Sequence, residues 1–219
     1  GRSDIADAVY RHTVTARYLN TLIADVILAE LAQRDTPLNV MEIGAGTGAT
    51  TERVRELLHD VYGETPPLNW LFSDVSRYFL VNAQQRYGHL SWLSTALIDI
   101  DRPLTEQGVA AESQHLLVMA GVLNNAHNSE QTIRWLAEVL MPGGTMLITE
   151  PTREHLEILT SQAFMMPPPQ DDRQRSQQRF LSPEQWRDLF ERAGLICDIS
   201  LPGEDHRLAP LGQRLFMVR

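Results

Sequence analysis

The residues with the clearest chemical potential sit in a few short stretches. Glu42-Ile43-Gly44-Ala45-Gly46-Thr47-Gly48 places three glycines at alternate positions behind an acid. Lacking Cβ atoms, Gly44, Gly46 and Gly48 let main chain lie against a ligand and take positive φ. A helix opening behind them offers free N–H groups. Asp74 stands thirty residues after Gly44, within Phe72-Ser73-Asp74-Val75-Ser76. Leu97-Ile98-Asp99-Ile100 and then Val122-Leu123-Asn124-Asn125-Ala126-His127-Asn128 follow, and Glu150 closes the apolar run from Thr145. The glycine spacing, GxGxG, differs from the GxGxxG of dinucleotide sites, which carry an acid ~20 residues on. His127 is a loop imidazole able to take a proton near neutral pH. Asn124 is an amide and cannot.

The composition excludes other chemistries. All 19 basic residues are Arg; the absence of Lys removes Schiff-base and pyridoxal phosphate reactions and the P-loop motif. One Cys, Cys197, excludes an internal disulfide framework and a multi-Cys metal site, and no metal is expected. With 28 acidic residues the net charge is −9, so nucleic acid is not an expected partner. No apolar run reaches the ~18 residues of a membrane span, and Gly1-Arg2-Ser3-Asp4 opens no signal-peptide core. The expected setting is the cytoplasm, without a membrane partner. The missing initiator Met reads as a domain excised from a longer chain.

The elements that must position these residues follow from periodicity and punctuation. Asp4 to Arg34 reads as helical, with Thr13 and Thr15 marking a break and Thr36-Pro37 a stop. Strands are expected at Asn39–Ile43, Trp70–Phe72, Leu90–Leu93, His115–Ala120, Thr145–Glu150, Ile196–Leu201 and Arg214–Arg219. Helices are expected at Ala49–His59, Arg77–Tyr87, Ser129–Leu140 and Ser182–Ala193, with Ala96–Ile100 as a turn. Met141-Pro142-Gly143-Gly144 is expected to stop the helix before it. Alternating strands and helices imply an α/β fold with a parallel sheet covered on both faces. The last two strands lack an intervening helix and should pair antiparallel. Residues 1–36 are expected to form an N-terminal helical lid over a core at 37–219. Residues 160–180, with Met165-Met166-Pro167-Pro168-Pro169, read as an insert over the ligand-binding edge.

Residues 40–150 together resemble the class I S-adenosylmethionine-dependent methyltransferases, a Rossmann-like fold with a seven-stranded, mostly parallel sheet and a terminal antiparallel hairpin. The resemblance implies S-adenosylmethionine as cofactor, with S-adenosylhomocysteine as product. It places the methionine part at Gly44, Ala45 and Gly46, the ribose hydroxyls on Asp74, and the adenine amino group on Asp99 with Ile100 packing on the ring. Glu42, Val75 and Ala120 complete the implied cofactor positions. Tyr10 and Tyr18 on the first helix are candidate covers for it.

The wording of Glu42 to Thr51, of Leu140-Met141-Pro142-Gly143-Gly144 and of Glu150-Pro151-Thr152-Arg153 is narrower. It resembles methyltransferase domains embedded in polyketide synthases and nonribosomal peptide synthetases. That implies an acceptor held as a thioester on the phosphopantetheine arm of an acyl or peptidyl carrier protein, with other synthase domains as neighbours. The carbon-methylating branch has a His at the position of Asn124, acting as base, and a Glu, here Glu150, that orients it. Three readings of the departure stand. His127 takes the proton, or His155 does, or the acceptor needs little base and Asn124 and Asn125 hold it by hydrogen bonds. The last fits a carbon between a thioester and a thiazoline C=N, as in siderophore synthetases of the yersiniabactin type. Methylation of oxygen or nitrogen, or a silent scaffold domain, are the alternatives to the α-carbon. Arg173, Arg175, Arg179 and Arg187 form a basic stretch that is a candidate contact for the phosphopantetheine phosphate or for an acidic carrier protein. The other histidines, His12, His59, His89, His115 and His206, are expected to be structural or superficial.

Overall fold

Thr13 is where the first helix begins: its Oγ1 accepts the Ala16 N–H at 3.2 Å, satisfying one of the free donors of the first turn. The computed structural model describes residues 12–154 and 166–219. The expected break is thus a cap, and Thr15 lies inside helix α1 (Val14–Ala32). Leu19, Ile23, Ile27 and Leu31, at spacings of four, are its buried stripe. The helix is tied to α2 (Ala49–Tyr62) by Thr50 Oγ1 donating to Asn20 Oδ1 at 2.8 Å and Arg53 Nε to Thr21 Oγ1 at 3.2 Å.

The chain forms two compact units. The first holds residues 12–99 and 114–118. Its strands β1 (Leu38–Ile43), β2 (Leu68–Asp74) and β3 (Leu93–Leu97) are parallel, with Ile43 opposite Ser73 and Asp74 opposite Leu97. Helix α3 (Arg77–Tyr87) links the last two. β4 (Gln114–Ala120) begins in this unit, where His115 Nδ1 accepts the Asn39 N–H at 2.9 Å. Nearly continuous burial along β1 is what a strand covered on both faces requires.

The second unit holds residues 100–113 and 119–219. It carries α4 (Ser129–Val139), β5 (Leu140–Pro151), α5 (Asp172–Ser176), α6 (Pro183–Arg192), β6 (Cys197–Leu201) and β7 (Gln213–Val218). α6 opens with a reciprocal capping box, Ser182 with Gln185, and Pro183 at its first position. Trp186, Phe190 and Phe216 pack with ring centroids 5.8–6.4 Å apart. β7 is antiparallel to both β5 and β6. The strand order is β3-β2-β1-β4-β5-β7-β6, the mostly parallel seven-stranded arrangement with an antiparallel end.

Most elements begin or end within one to three residues of expectation, and Ala96 and Leu97, expected in a turn, end β3 as strand; two departures are larger. β3 begins at Leu93, not Leu90: buried Leu90 and Trp92 belong to the turn after α3, where Leu90 N donates to Tyr87 O. β5 begins at Leu140: Met141-Pro142-Gly143-Gly144 ends the helix before it as expected and belongs to the strand, with Gly143 at the left-handed φ of +77°.

Candidate functional site

The glycine loop joins β1 to α2. Gly44, Gly46 and Gly48 have φ of 62°, 53° and 75°, a region that costs an L-residue roughly 1–2 kcal/mol. A Cβ built at Gly46 meets only Gly44 O, at 3.9 Å, so this face of the loop is open main chain. At Gly48 a Cβ would meet Tyr87 Oη at 3.2 Å, so that glycine serves packing. Asp74 fixes the loop from the end of β2. Its Oδ2 accepts the Gly46 N–H at 2.9 Å and its Oδ1 the Ser76 N–H at 2.8 Å. Ala45 N donates to Ser73 O at 3.0 Å, and Ile98 N to Asp74 O at 3.1 Å, which brings half-buried Asp99 onto the same edge. Val75 is 66% exposed, an apolar side chain beside the carboxylate.

Glu42 is placed differently from the other predicted cofactor residues. Its carboxyl is 2% exposed, and Oε2 accepts from Thr51 Oγ1 on α2. Burial, with a further push from the Asp74 charge, raises its pKa to about 8, against the pull of the Thr51 bond. Glu42 therefore supports the loop from within rather than presenting a charge.

In the second unit, the turn Leu123–Asn125 after β4 carries Asn124, and His127 lies two residues beyond it. Glu150, 1% exposed on β5, accepts the Leu123 N–H on Oε1 and Asn124 Nδ2 on Oε2, each at 2.6 Å. Burial raises its pKa to about 7, and the N–H groups of Leu123, Val122 and Asn124 restrain the rise. The Glu of the resemblance thus orients Asn124. Asn124 is 4% exposed, its Nδ2 is taken by Glu150, and its Oδ1 accepts no hydrogen bond. Asn125 is turned to its own loop, Nδ2 donating to Gly121 O at 3.2 Å. His127 Nδ1 lies 2.7 Å from Asp101 Oδ2, and its N–H donates to Asp101 Oδ1 at 2.7 Å. Ala120, at the end of β4, and Ile100 are half-buried, and Ile100 O accepts Thr132 Oγ1 at 3.1 Å.

Arg173 corrects the reading of an exposed basic stretch. Its side chain is 1% exposed and lies on α5. Nη1 donates to Asn124 O at 2.8 Å and Nη2 to Ala126 O at 2.5 Å, while Asp171 takes Nε and Nη2 at 2.8 Å. Asp171 also accepts the Ser129 N–H at 2.9 Å, and Gln170 N donates to His127 O at 2.7 Å. Burial would raise Asp171, but Arg173 and the Ser129 N–H outweigh it and hold its pKa below the usual value. Asp101, Asp171 and Arg173 went unsingled as positioning residues because nothing in their local sequence distinguishes them from surface charges. His155 and Tyr10 lie outside the described residues; Tyr18 is half-buried. Among the described residues no three His, Cys, Asp or Glu side chains gather to hold a metal, and no helix is long and apolar enough to cross a membrane.

Residues 15–198 match the family described as a methyltransferase domain. The chain belongs to the methyltransferase-domain family. It is 34% identical over 222 residues to pyochelin synthetase PchF of Pseudomonas aeruginosa, covering all of this chain and 12% of that protein. The fold is shared with the CurJ carbon methyltransferase (TM-score 0.83, 22% identity, 97% of this chain and 56% of the other). It is also shared with the citrinin polyketide synthase CMeT domain (TM-score 0.84, 20% identity, 99% and 56%). The cofactor that the sequence resemblance implies is S-adenosylmethionine. The residues present suit that cofactor: open main chain at Gly46, a carboxylate fixed at Asp74 with lone pairs to spare for hydroxyls, and an exposed apolar side chain at Val75.

Proposed function

We propose that this methyltransferase domain modifies an intermediate held as a thioester on a carrier-protein phosphopantetheine arm, within a cytoplasmic siderophore-type synthase, at the carbon α to the thioester. The main support for a synthase setting is the likeness to pyochelin synthetase over the whole chain. In this reading Gly44, Ala45, Gly46 and Asp74 hold S-adenosylmethionine, with Val75 and Asp99 around its adenosine. When bound, it supplies an electrophilic methyl on a sulfonium that leaves as a neutral thioether. The protein's part is alignment, exclusion of water and removal of a proton. His127, on the loop held by Glu150, Arg173 and Asp101, takes that proton. Glu150 and Asn124 set the loop's shape and are positioning groups.

A second reading, methylation of a ring N–H, is favoured by one observation. Asn124 Oδ1 is an enclosed acceptor without a donor, and an N–H of the acceptor would satisfy it at a gain of about 1–3 kcal/mol. An enolate oxygen would not. Transfer of a deuterated methyl to pantetheine thioesters of thiazoline and thiazolidine acids, with fragmentation to locate it, separates the readings. Label on the α-carbon supports the first and label on nitrogen the second. Cofactor binding without label on any acceptor, including carrier-bound ones, would leave a scaffold domain.

A further inference from the structure

We propose that Asp101 is the positioning residue of a general base at His127: it holds the imidazole with its proton on Nδ1, so that Nε2 receives the proton of the methyl acceptor. The inference rests on the reading of His127 as the base, and it names the group that makes such a base competent.

The geometry is specific. One carboxylate holds both the ring and the main chain of His127, Oδ2 at 2.7 Å from Nδ1 and Oδ1 accepting the backbone N–H at 2.7 Å. Two bonds from one carboxylate fix the residue's position and its ring rotation together. A neutral imidazole that faces a carboxylate through Nδ1 must carry its hydrogen there, which leaves the Nε2 lone pair outward. Both partners are braced. Ile100 O, adjoining Asp101, accepts from Thr132 Oγ1, and His127 O accepts the Gln170 N–H at 2.7 Å. The His127 side chain is 42% exposed, so its outward nitrogen can be approached. A pair this exposed contributes little to stability, which leaves its bidentate form unexplained by folding. His59 and Glu64 show the ordinary surface pair by contrast, more exposed and at 3.4 Å.

The step balances. The acceptor C–H or N–H proton moves to Nε2, its electron pair forms the new bond to the methyl carbon, and the methyl–sulfur bond breaks with its pair on sulfur. The imidazolium that results carries a charge opposite to Asp101, which stabilises it as it forms. An amide at residue 124 then loses nothing essential, because the proton acceptor has moved three residues along the same loop.

The test has two parts. In protein labelled with 15N-histidine at pH 8.5, long-range 1H–15N spectra report each tautomer, and the His127→Ala spectrum identifies the His127 signals. The expected result is Nδ1–H in the natural protein and a shift to Nε2–H in Asp101→Asn, because the backbone N–H of His127 keeps the amide oxygen and the amide NH2 then donates to Nδ1. Nε2–H in the natural protein would overturn the proposal. In the methyl-transfer assay, His127→Ala should lower kcat by about 10²-fold or more. Asp101→Asn should lower it by a comparable factor, with S-adenosylmethionine affinity and melting temperature unchanged, and Asp101→Glu should restore part of the rate. A full rate in Asp101→Asn beside a slow His127→Ala would overturn the role of Asp101 and leave the base in place. A full rate in His127→Ala would remove the base itself.

Discussion

Arg173 and Asn124 stand 49 residues apart in sequence, and Arg173 Nη1 donates to Asn124 O at 2.8 Å. The guanidinium reaches past the side chain to the main chain of the loop. A second branch takes Ala126 O, and Asp171 neutralises the charge that burial would otherwise penalise. The loop after β4 thus owes its shape to a segment far along the chain, and a side chain read from sequence as a surface cation is part of the interior.

Removing that cation should be costly. Arg173→Ala leaves two buried carbonyls and Asp171 without their partner, and breaking a buried pair of this kind costs about 3–5 kcal/mol. For a chain of this size that is a fall in melting temperature of about 10 °C. Arg173→Lys should recover little, since a single ammonium cannot serve both carbonyls and the carboxylate. Thermal melting followed by circular dichroism measures both. A melting point within 2 °C of the natural protein for Arg173→Ala would contradict the clamp.

The glycine loop makes a different demand, on binding rather than folding. Gly46→Ala must hold φ near +53° with a Cβ, at about 1–2 kcal/mol, and it adds a methyl to the open face of the loop. Asp74→Ala removes the acceptor of the Gly46 N–H as well as the predicted ribose contact. Calorimetric titration with S-adenosylmethionine should show affinity lowered at least tenfold in Gly46→Ala and further in Asp74→Ala. Unchanged affinity in Asp74→Ala would remove the ribose assignment.

The contrast between these two places shows what sequence carries. The glycine loop was legible because its conformation demands a residue type: three positive φ values require three glycines. Ser182 and Pro183 announced α6 in the same way, since a cap is a local contract between neighbours. The antiparallel end followed from the lack of a helix between its strands. β3 was misplaced because its own side chains are half-buried or exposed, while Leu90 and Trp92 in the turn after α3 are buried. Asp101, Asp171 and Arg173 were illegible because the loop groups they hold, from Asn124 to Ser129, are distant in sequence: an Asp or Arg looks the same whether it meets water or a carbonyl.

Val75 offers a test that separates binding from stability. It is exposed and makes no demand on the core, so Val75→Asp should change stability by less than about 0.5 kcal/mol. In the proposed site it lies against adenine, and a carboxylate there would be desolvated by the ring. Titration should show S-adenosylmethionine affinity lowered by tenfold or more, with the melting temperature unmoved. Equal affinity for both proteins would place the adenine elsewhere.

Glu42 and Glu150 give the fold an inverted response to pH. Their pKa values are raised by burial from 4.5 to about 8 and about 7. Between pH 4.5 and those values the native protein binds protons that the unfolded chain has lost, so stability falls as pH rises. Each such proton removes about 1.4 kcal/mol per pH unit. The contribution is whole below pH 4.5 and is lost as pH passes through 7 for Glu150 and 8 for Glu42. Glu52 and Asp171, whose pKa values are held low by their Arg partners, lose their contribution only as pH falls through the acidic range. His115, whose pKa is lowered by burial and by the nearby Arg34 charge, slopes the other way below its ordinary pKa of 6.5. The difference between natural protein and Glu42→Gln isolates one carboxyl from these. Gln at 42 keeps an acceptor for Thr51 and cannot ionise, so the variant should match the natural protein at pH 5 and melt several degrees above it at pH 8.5. Melting curves that stay parallel from pH 5 to 8.5 would mean that Glu42 ionises without cost, and that the carboxyl is reached by water in the folded protein.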